Sequence, residues 1–153
     1  MKRCILLLAA TLLATPASAY DSENLNPYPK TMNGKRRIVI DLPRLEDEDR
    51  ARMEISFSKI LENSDCNRKW VNGTIKEGTI EGWGYLYWEV NSNGDIAGTL
   101  MGCGGRPTKT ERVFGAREMI RYNSRIPLVI YVPDGLDAAF RTFTTPGGFQ
   151  TRS

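Results

Sequence analysis

Gly98-Thr99-Leu100-Met101-Gly102-Cys103 sets two large apolar side chains among small residues, directly before a cysteine. The same 153-residue chain contains no histidine. That absence removes Ser-His-Asp and Cys-His nucleophile devices, together with every histidine-containing zinc site. Cysteines bonded to each other cannot act as thiolate nucleophiles. Gly102, Gly104 and Gly105 precede neither a Lys-Ser/Thr pair nor a helix signal, so they form no phosphate loop. Carboxylate pairs remain, with Glu81 beside Trp83 the foremost, and Trp70, Trp83, Tyr85 and Trp88 could line a sugar groove. Most acids, however, sit in charge-mixed turns or on polar strand faces. The reading is a chain gripped by an enzyme rather than an enzyme, with no catalytic residue, cofactor or metal of its own.

The first 19 residues carry an export leader: a basic Met1-Lys2-Arg3, an apolar run from Cys4 to Ala14, and Ala17-Ser18-Ala19 as cleavage motif. Cleavage after Ala19 leaves 134 of the 153 residues, Tyr20 to Ser153, enough for one domain. Losing Lys2 and Arg3 reduces 21 basic residues to 19 against 18 acidic, a net charge of +1. No nucleic-acid partner is implied, and no later stretch is apolar and long enough for a membrane helix. Only Cys66 and Cys103 remain. In an exported chain they read as one disulfide, and a structural staple suffices to explain it.

The elements that must position these residues read as strands. Residues 37–42 have a β pattern ending at Pro43. From Arg52 to Lys59 the chain alternates, with Met53, Ile55 and Phe57 on one side. Residues 84–90 are aromatic and β-branched before the turn cluster Asn91-Ser92-Asn93-Gly94. Leu128-Val129-Ile130-Tyr131-Val132 is a continuous apolar run, and residues 140–144 are a last strand before Pro146-Gly147-Gly148 and a loose tail over 146–153. Residues 20–35, with Asn26-Pro27-Tyr28-Pro29 and Asn33-Gly34, read as an extended arm rather than a packed element. The acidic run Glu46-Asp47-Glu48-Asp49 reads as a solvated turn without function. Short helices are admissible only over 45–52 or 117–121. The fold class is all-β: a single antiparallel sandwich or barrel with long surface loops.

Three segments invite a functional reading, each with a plainer alternative. Leu100 and Met101 could instead be buried at a strand-to-loop junction. Glu81-Gly82-Trp83-Gly84-Tyr85 presents a large aromatic between glycines, as binding hot spots do, or packs Trp83 into the core. Arg121-Tyr122-Asn123-Ser124-Arg125-Ile126-Pro127 is an exposed basic turn, ordinary when taken alone. A secreted carbohydrate- or peptide-binding β module using surface aromatics accommodates the same residues.

Taken in order, these segments resemble the ecotin family, periplasmic inhibitors of trypsin-fold serine proteases. The resemblance runs from Asn26-Pro27-Tyr28-Pro29 to Tyr131-Val132-Pro133-Asp134. It is most specific at Asp65-Cys66-Asn67, Glu81-Gly82-Trp83-Gly84-Tyr85, Arg121-Tyr122-Asn123-Ser124 and Pro127 to Asp134. It implies reversible, tight, substrate-like inhibition without chemistry by this chain. The primary loop would be Gly98, Thr99, Leu100, Met101 and Gly102, with Leu100 as specificity residue. Asn67 would support that loop from behind, and Cys66 and Cys103 would anchor it. A secondary protease-binding surface would comprise Trp83, Gly84, Tyr85, Arg121, Asn123, Arg125 and Ile126. The resemblance also implies a periplasmic homodimer in which two inhibitors grip two proteases.

The chain departs from that pattern in places. Leu100 stands where methionine is usual, which suits the apolar pocket of a chymotrypsin- or elastase-like enzyme. Gly102, Gly104 and Gly105 replace bulkier residues and favour a looser loop. Leu86 replaces an acid of the secondary surface. The segment between Cys103 and Arg121 is shorter, and Pro146-Gly147-Gly148 interrupts the tail used for dimer exchange.

Overall fold

A computed structural model describes residues 25–148 and 150–152. The leader over 1–19 lies outside these residues. Ten strands occur among them: β1 Thr31–Met32, β2 Lys35–Ile40, β3 Ala51–Ser64, β4 Lys69–Val71, β5 Thr74–Thr79, β6 Leu86–Asn91, β7 Ile96–Gly98, β8 Lys109–Arg121, β9 Leu128–Val132 and β10 Asp137–Thr144. They form a five-stranded sheet in the order β1-β2-β9-β6-β5, a three-stranded sheet β10-β3-β8, and a two-stranded ribbon β4-β7. The chain is all-β. Pairing is antiparallel except between β6 and β9, which run parallel with Trp88 opposite Ile130.

The continuous apolar run of β9 has a direct cause: both of its faces are covered. Leu128, Ile130 and Val132 enter the main core with Met53, Ile55, Phe57 and Val90. Val129 and Tyr131 point the other way, into a smaller cluster with Tyr28. Tyr28 is 2% exposed and donates its hydroxyl to the Leu86 carbonyl at 3.1 Å. The arm expected over residues 20–35 is therefore, from residue 25 on, packed through Tyr28 and continued into β1 and the start of β2. Its backbone is held by Arg37 Nη1, which donates to the carbonyls of Leu25 and Tyr28.

The alternation from Arg52 to Lys59 becomes the centre of β3, with Met53, Ile55 and Phe57 fully buried. Residues 117–121 belong to its partner β8, so no helix forms there. Over 45–52 the only helical piece is a single 3-10 turn, Glu48–Arg50. The β3–β8 ladder is interrupted twice, between Ser56 and Ser58 and between Leu61 and Ser64. At the first irregularity Ser58 faces Phe114 while Ser56 faces Arg117, so β8 carries one extra residue around Gly115 and Ala116. Gly115 is needed there, because a Cβ would lie 2.2 Å from the buried Phe57 ring.

Candidate functional site

Ribbon β4-β7 supplies the base of the 98–103 loop. Beyond Gly98, the Thr99 N–H donates to the Arg68 carbonyl at 3.0 Å, and the Arg68 N–H donates back to Thr99 Oγ1 at 3.1 Å. Thr99 Oγ1 in turn donates to Asn67 Oδ1 at 2.9 Å. Asn67 Oδ1 also accepts from the Met101 N–H at 2.6 Å, and Asn67 Nδ2 donates to the Met101 carbonyl at 3.3 Å. One buried carboxamide, 7% exposed, thus holds the residues on both sides of Leu100. Leu100 itself is 100% exposed and Met101 59%. The buried-junction alternative for these two side chains is ruled out by that exposure.

The clamp is itself anchored. Cys66 and Cys103 form a disulfide with Cα atoms 5.7 Å apart, tying the residue before Asn67 to the loop's far end. The Cys66 N–H lies 3.3 Å from Cys103 Sγ. Asp65 Oδ1 accepts the Asn67 N–H at 3.0 Å and pairs with Lys69 Nζ at 3.0 Å. The Asn67 N–H and then Lys69 keep the Asp65 carboxyl below its ordinary range. Past Cys103 the chain reverses, with the Arg106 N–H donating to the Cys103 carbonyl at 3.1 Å. Gly104 and Gly105 supply φ of +57° and +73°, the pair of positive angles a tight type I′ reversal requires.

The second group of residues meets at one end of the five-stranded sheet. Trp83 lies five residues before Trp88, and Arg125 five before Ile130. Trp88 and Ile130 are register partners in the parallel β6–β9 pair, so both incoming segments emerge at the same sheet end. Trp83 sits in the β5–β6 turn, where the Trp83 and Gly84 N–H groups both donate to the Ile80 carbonyl at 3.2 and 3.0 Å. Gly82 and Gly84 take φ of +77° and +71°. Trp83 is 62% exposed, which rules out core packing, and it stacks on Tyr85 with centroids 6.0 Å apart. Tyr85 stacks on the buried Tyr28 at 6.1 Å, so Trp83 tops a column of three rings rooted in the fold.

Across the sheet end, Asn123 Oδ1 accepts the Arg125 N–H at 3.0 Å, closing a local turn. Asn123 and Arg125 are exposed, and Ile126 is half-buried. The Tyr122 hydroxyl donates to the Pro43 carbonyl. Glu48 accepts from both the Ser124 hydroxyl and the Ser124 N–H, the latter at 3.3 Å. Asp49 pairs with Arg121 at 3.1 Å. The acidic run, read from sequence as a turn without function, therefore contacts the 121–126 segment directly. Nothing local in the sequence signals this, since Glu48 and Ser124 are 76 residues apart.

The remaining aromatics go elsewhere. Trp70 lies on ribbon β4-β7 opposite Ala97, and Trp88 packs against the main core. Trp88 thus faces the main core, whereas Trp83 stacks on Tyr85. Among the described residues, no three His, Cys, Asp or Glu side chains are placed to hold a metal ion.

This arrangement defines a class: an all-β binding protein that offers one fully exposed apolar residue on a backbone braced from behind. The ecotin family model matches residues 24–145. The chain is 41% identical over 147 residues to ecotin of Pseudomonas putida (strain W619), covering 94% of this chain and 92% of that protein. It is 36% identical over 157 residues to ecotin of Yersinia pestis (strain Pestoides F), covering 92% of each. The chain belongs to the ecotin family, a family of serine protease inhibitors.

Proposed function

We propose that the chain is a reversible, substrate-like inhibitor of trypsin-fold serine proteases that enters the target's specificity pocket with Leu100. The observation that carries this reading is the complete exposure of Leu100 between two neighbours clamped by Asn67. A loop already held in its bound shape loses little conformational entropy on docking. Its Leu100 carbonyl can meet the protease's oxyanion hole, while the Cys66–Cys103 bridge keeps the ends together if the following bond is cut. Leucine favours chymotrypsin- or elastase-like pockets, because a trypsin pocket's buried acid gains no charge partner from it.

Trp83, Gly84, Tyr85, Arg121, Asn123, Arg125 and Ile126 form the secondary protease-binding surface in this reading. Strand β8 runs from the 98–103 loop's side of the molecule to Arg121, 12 residues on, or roughly 40 Å along the strand. In this reading a protease held at Leu100 is reached by the second surface of another copy. This supports a homodimer binding two proteases, with avidity from two contacts. The protein acts in the periplasm, after cleavage of the leader behind Ala19. The carbohydrate-binding reading needs a shared aromatic groove, and the separation of Trp70, Trp83 and Trp88 counts against it.

Titration of chymotrypsin, elastase and trypsin with the purified protein tests the proposal. Stoichiometric loss of chymotrypsin or elastase activity is expected, with weaker inhibition of trypsin. Tighter inhibition of trypsin would reject the assigned preference, and indifference of all three enzymes would reject the function.

A further inference from the structure

We propose that Glu48 is the positioning residue of the second surface: its carboxylate sets the 123–126 turn in a binding-ready shape before any protease arrives. The inference rests on the functional reading above and adds a residue to it from outside the surface itself.

The geometry singles out Glu48 within the acidic run. Both of its carboxylate oxygens are engaged, one by the Ser124 hydroxyl and one by the Ser124 N–H. Ser124 lies between Asn123 and Arg125, so fixing it fixes the residues that face outward on either side. The turn's internal bond, Arg125 N–H to Asn123 Oδ1, closes the loop but does not tie it to the rest of the molecule. The buried Tyr122, bonded to the Pro43 carbonyl, and Glu48 both do that.

Asp49 is a weaker candidate for a physical reason. Its pair with Arg121 joins side chains 86% and 79% exposed, where solvent and salt screen the attraction and two long side chains must be ordered. Glu48 is half-buried and makes charge-assisted bonds to a short side chain and a backbone group, which have little freedom to lose. Its seat, the 3-10 turn Glu48–Arg50, leads straight into β3. The tether thus connects the second surface to β3, whose Met53, Ile55 and Phe57 are fully buried.

The experiment combines amide exchange with binding. Glu48→Ala, Glu48→Gln and Asp49→Asn are made in the full chain. Exchange of the Ser124 and Arg125 amides is followed by NMR, and the dissociation constant for chymotrypsin is measured alone and combined with Arg125→Ala or Leu100→Ala. Removing Glu48 should speed Ser124 exchange and weaken binding by about tenfold, through order lost from a preformed contact. The glutamine variant, with one acceptor oxygen left, should fall between, and Asp49→Asn should stay within about twofold, as exposed pairs do. The Glu48→Ala loss should shrink in the Arg125→Ala background and persist in full in the Leu100→Ala background.

Unchanged chymotrypsin affinity in Glu48→Ala, or equal coupling to Arg125 and Leu100, would overturn the positioning role. No binding by the unmodified protein would instead remove the functional reading, and this inference with it.

Discussion

Asn67 and Met101 exchange two hydrogen bonds, side chain to backbone, in the manner of a paired strand residue. The loop carrying Leu100 has no neighbouring strand there, so a single carboxamide supplies the missing edge. It also accepts the Thr99 hydroxyl, which places bonds on both sides of the exposed leucine.

Asn67→Ala removes these three bonds at once, together with the one that Asn67 Nδ2 donates to Cys103 Sγ at 3.6 Å. The cost to stability is about 1–3 kcal/mol, because the Met101 groups must find other partners. The larger effect should be on protease binding, weakened by about tenfold or more as the loop must be ordered on docking. Thermal unfolding and inhibition constants measured together check this; a stability loss with undiminished inhibition contradicts it.

Leu100→Asp should abolish chymotrypsin inhibition, since it would bury an unpaired charge in an apolar pocket. Leu100 touches solvent only, being 100% exposed, so the thermal midpoint should not move. Inhibition surviving this change would place the reactive loop elsewhere.

Replacing Cys66 and Cys103 by serine removes a cross-link between residues 37 apart. The chain-entropy argument gives a loss of roughly 3–4 kcal/mol in unfolding free energy. Denaturant titration measures it. The open variant should also be degraded by the protease it meets, visible as a band shift over time, where the bridged protein persists.

Gly115→Ala tests the scaffold away from either surface. Its new Cβ would stand 2.2 Å from the Phe57 ring, so β8 or the ring must shift. Overpacking of this kind costs about 1–3 kcal/mol, or a fall in thermal midpoint of roughly 3–10 °C. Inhibition per folded molecule should be retained.

The pH profile of stability follows from groups at two extremes. Glu48, Asp65, Glu89, Glu111 and Asp137 all lie below their ordinary carboxyl values. Each is held there first by a hydrogen bond, from Ser124, the Asn67 N–H, Lys35, Lys109 and Arg112 respectively. Their contribution is present above the unfolded pKa of about 4 and is lost as pH falls through the lower folded values. Burial, then Tyr85 and Tyr131, pushes the Tyr28 phenol up to about 12. That contribution holds below the unfolded value of about 10 and disappears as pH rises towards the folded one. With no histidine, urea midpoints should be flat from about pH 5 to 9 and fall on both sides. A step between pH 6 and 7 would contradict this assignment.

Strands whose pattern survives in one stretch were legible in the sequence. Strand β9 is apolar throughout because both faces are covered, and the middle of β3 alternates because Met53, Ile55 and Phe57 enter the main core while its other face carries Arg52, Glu54, Ser56 and Ser58. Strand β8 is the longest element that the pattern does not reveal. Its charged residues Lys109, Glu111, Arg112, Arg117, Glu118 and Arg121 fall on both faces, and the extra residue near Gly115 shifts the period midway. The two surface segments are visible as local anomalies, glycines around Trp83 and apolar residues before Cys103. Their supports are less so. The link of Glu48 to Ser124, and of the column below Trp83 to Tyr28, joins residues whose chain neighbours carry no sign of each other.

The parallel pairing of β6 with β9 has an evolutionary consequence. No hairpin joins these strands, so the two loops that feed them are separate stretches of chain brought side by side by the parallel ladder. Residues can be inserted in one loop without altering the length or register of the other. The surface at this end can thus be revised one half at a time. The Leu100 loop, borne on ribbon β4-β7, can be revised on a separate schedule again.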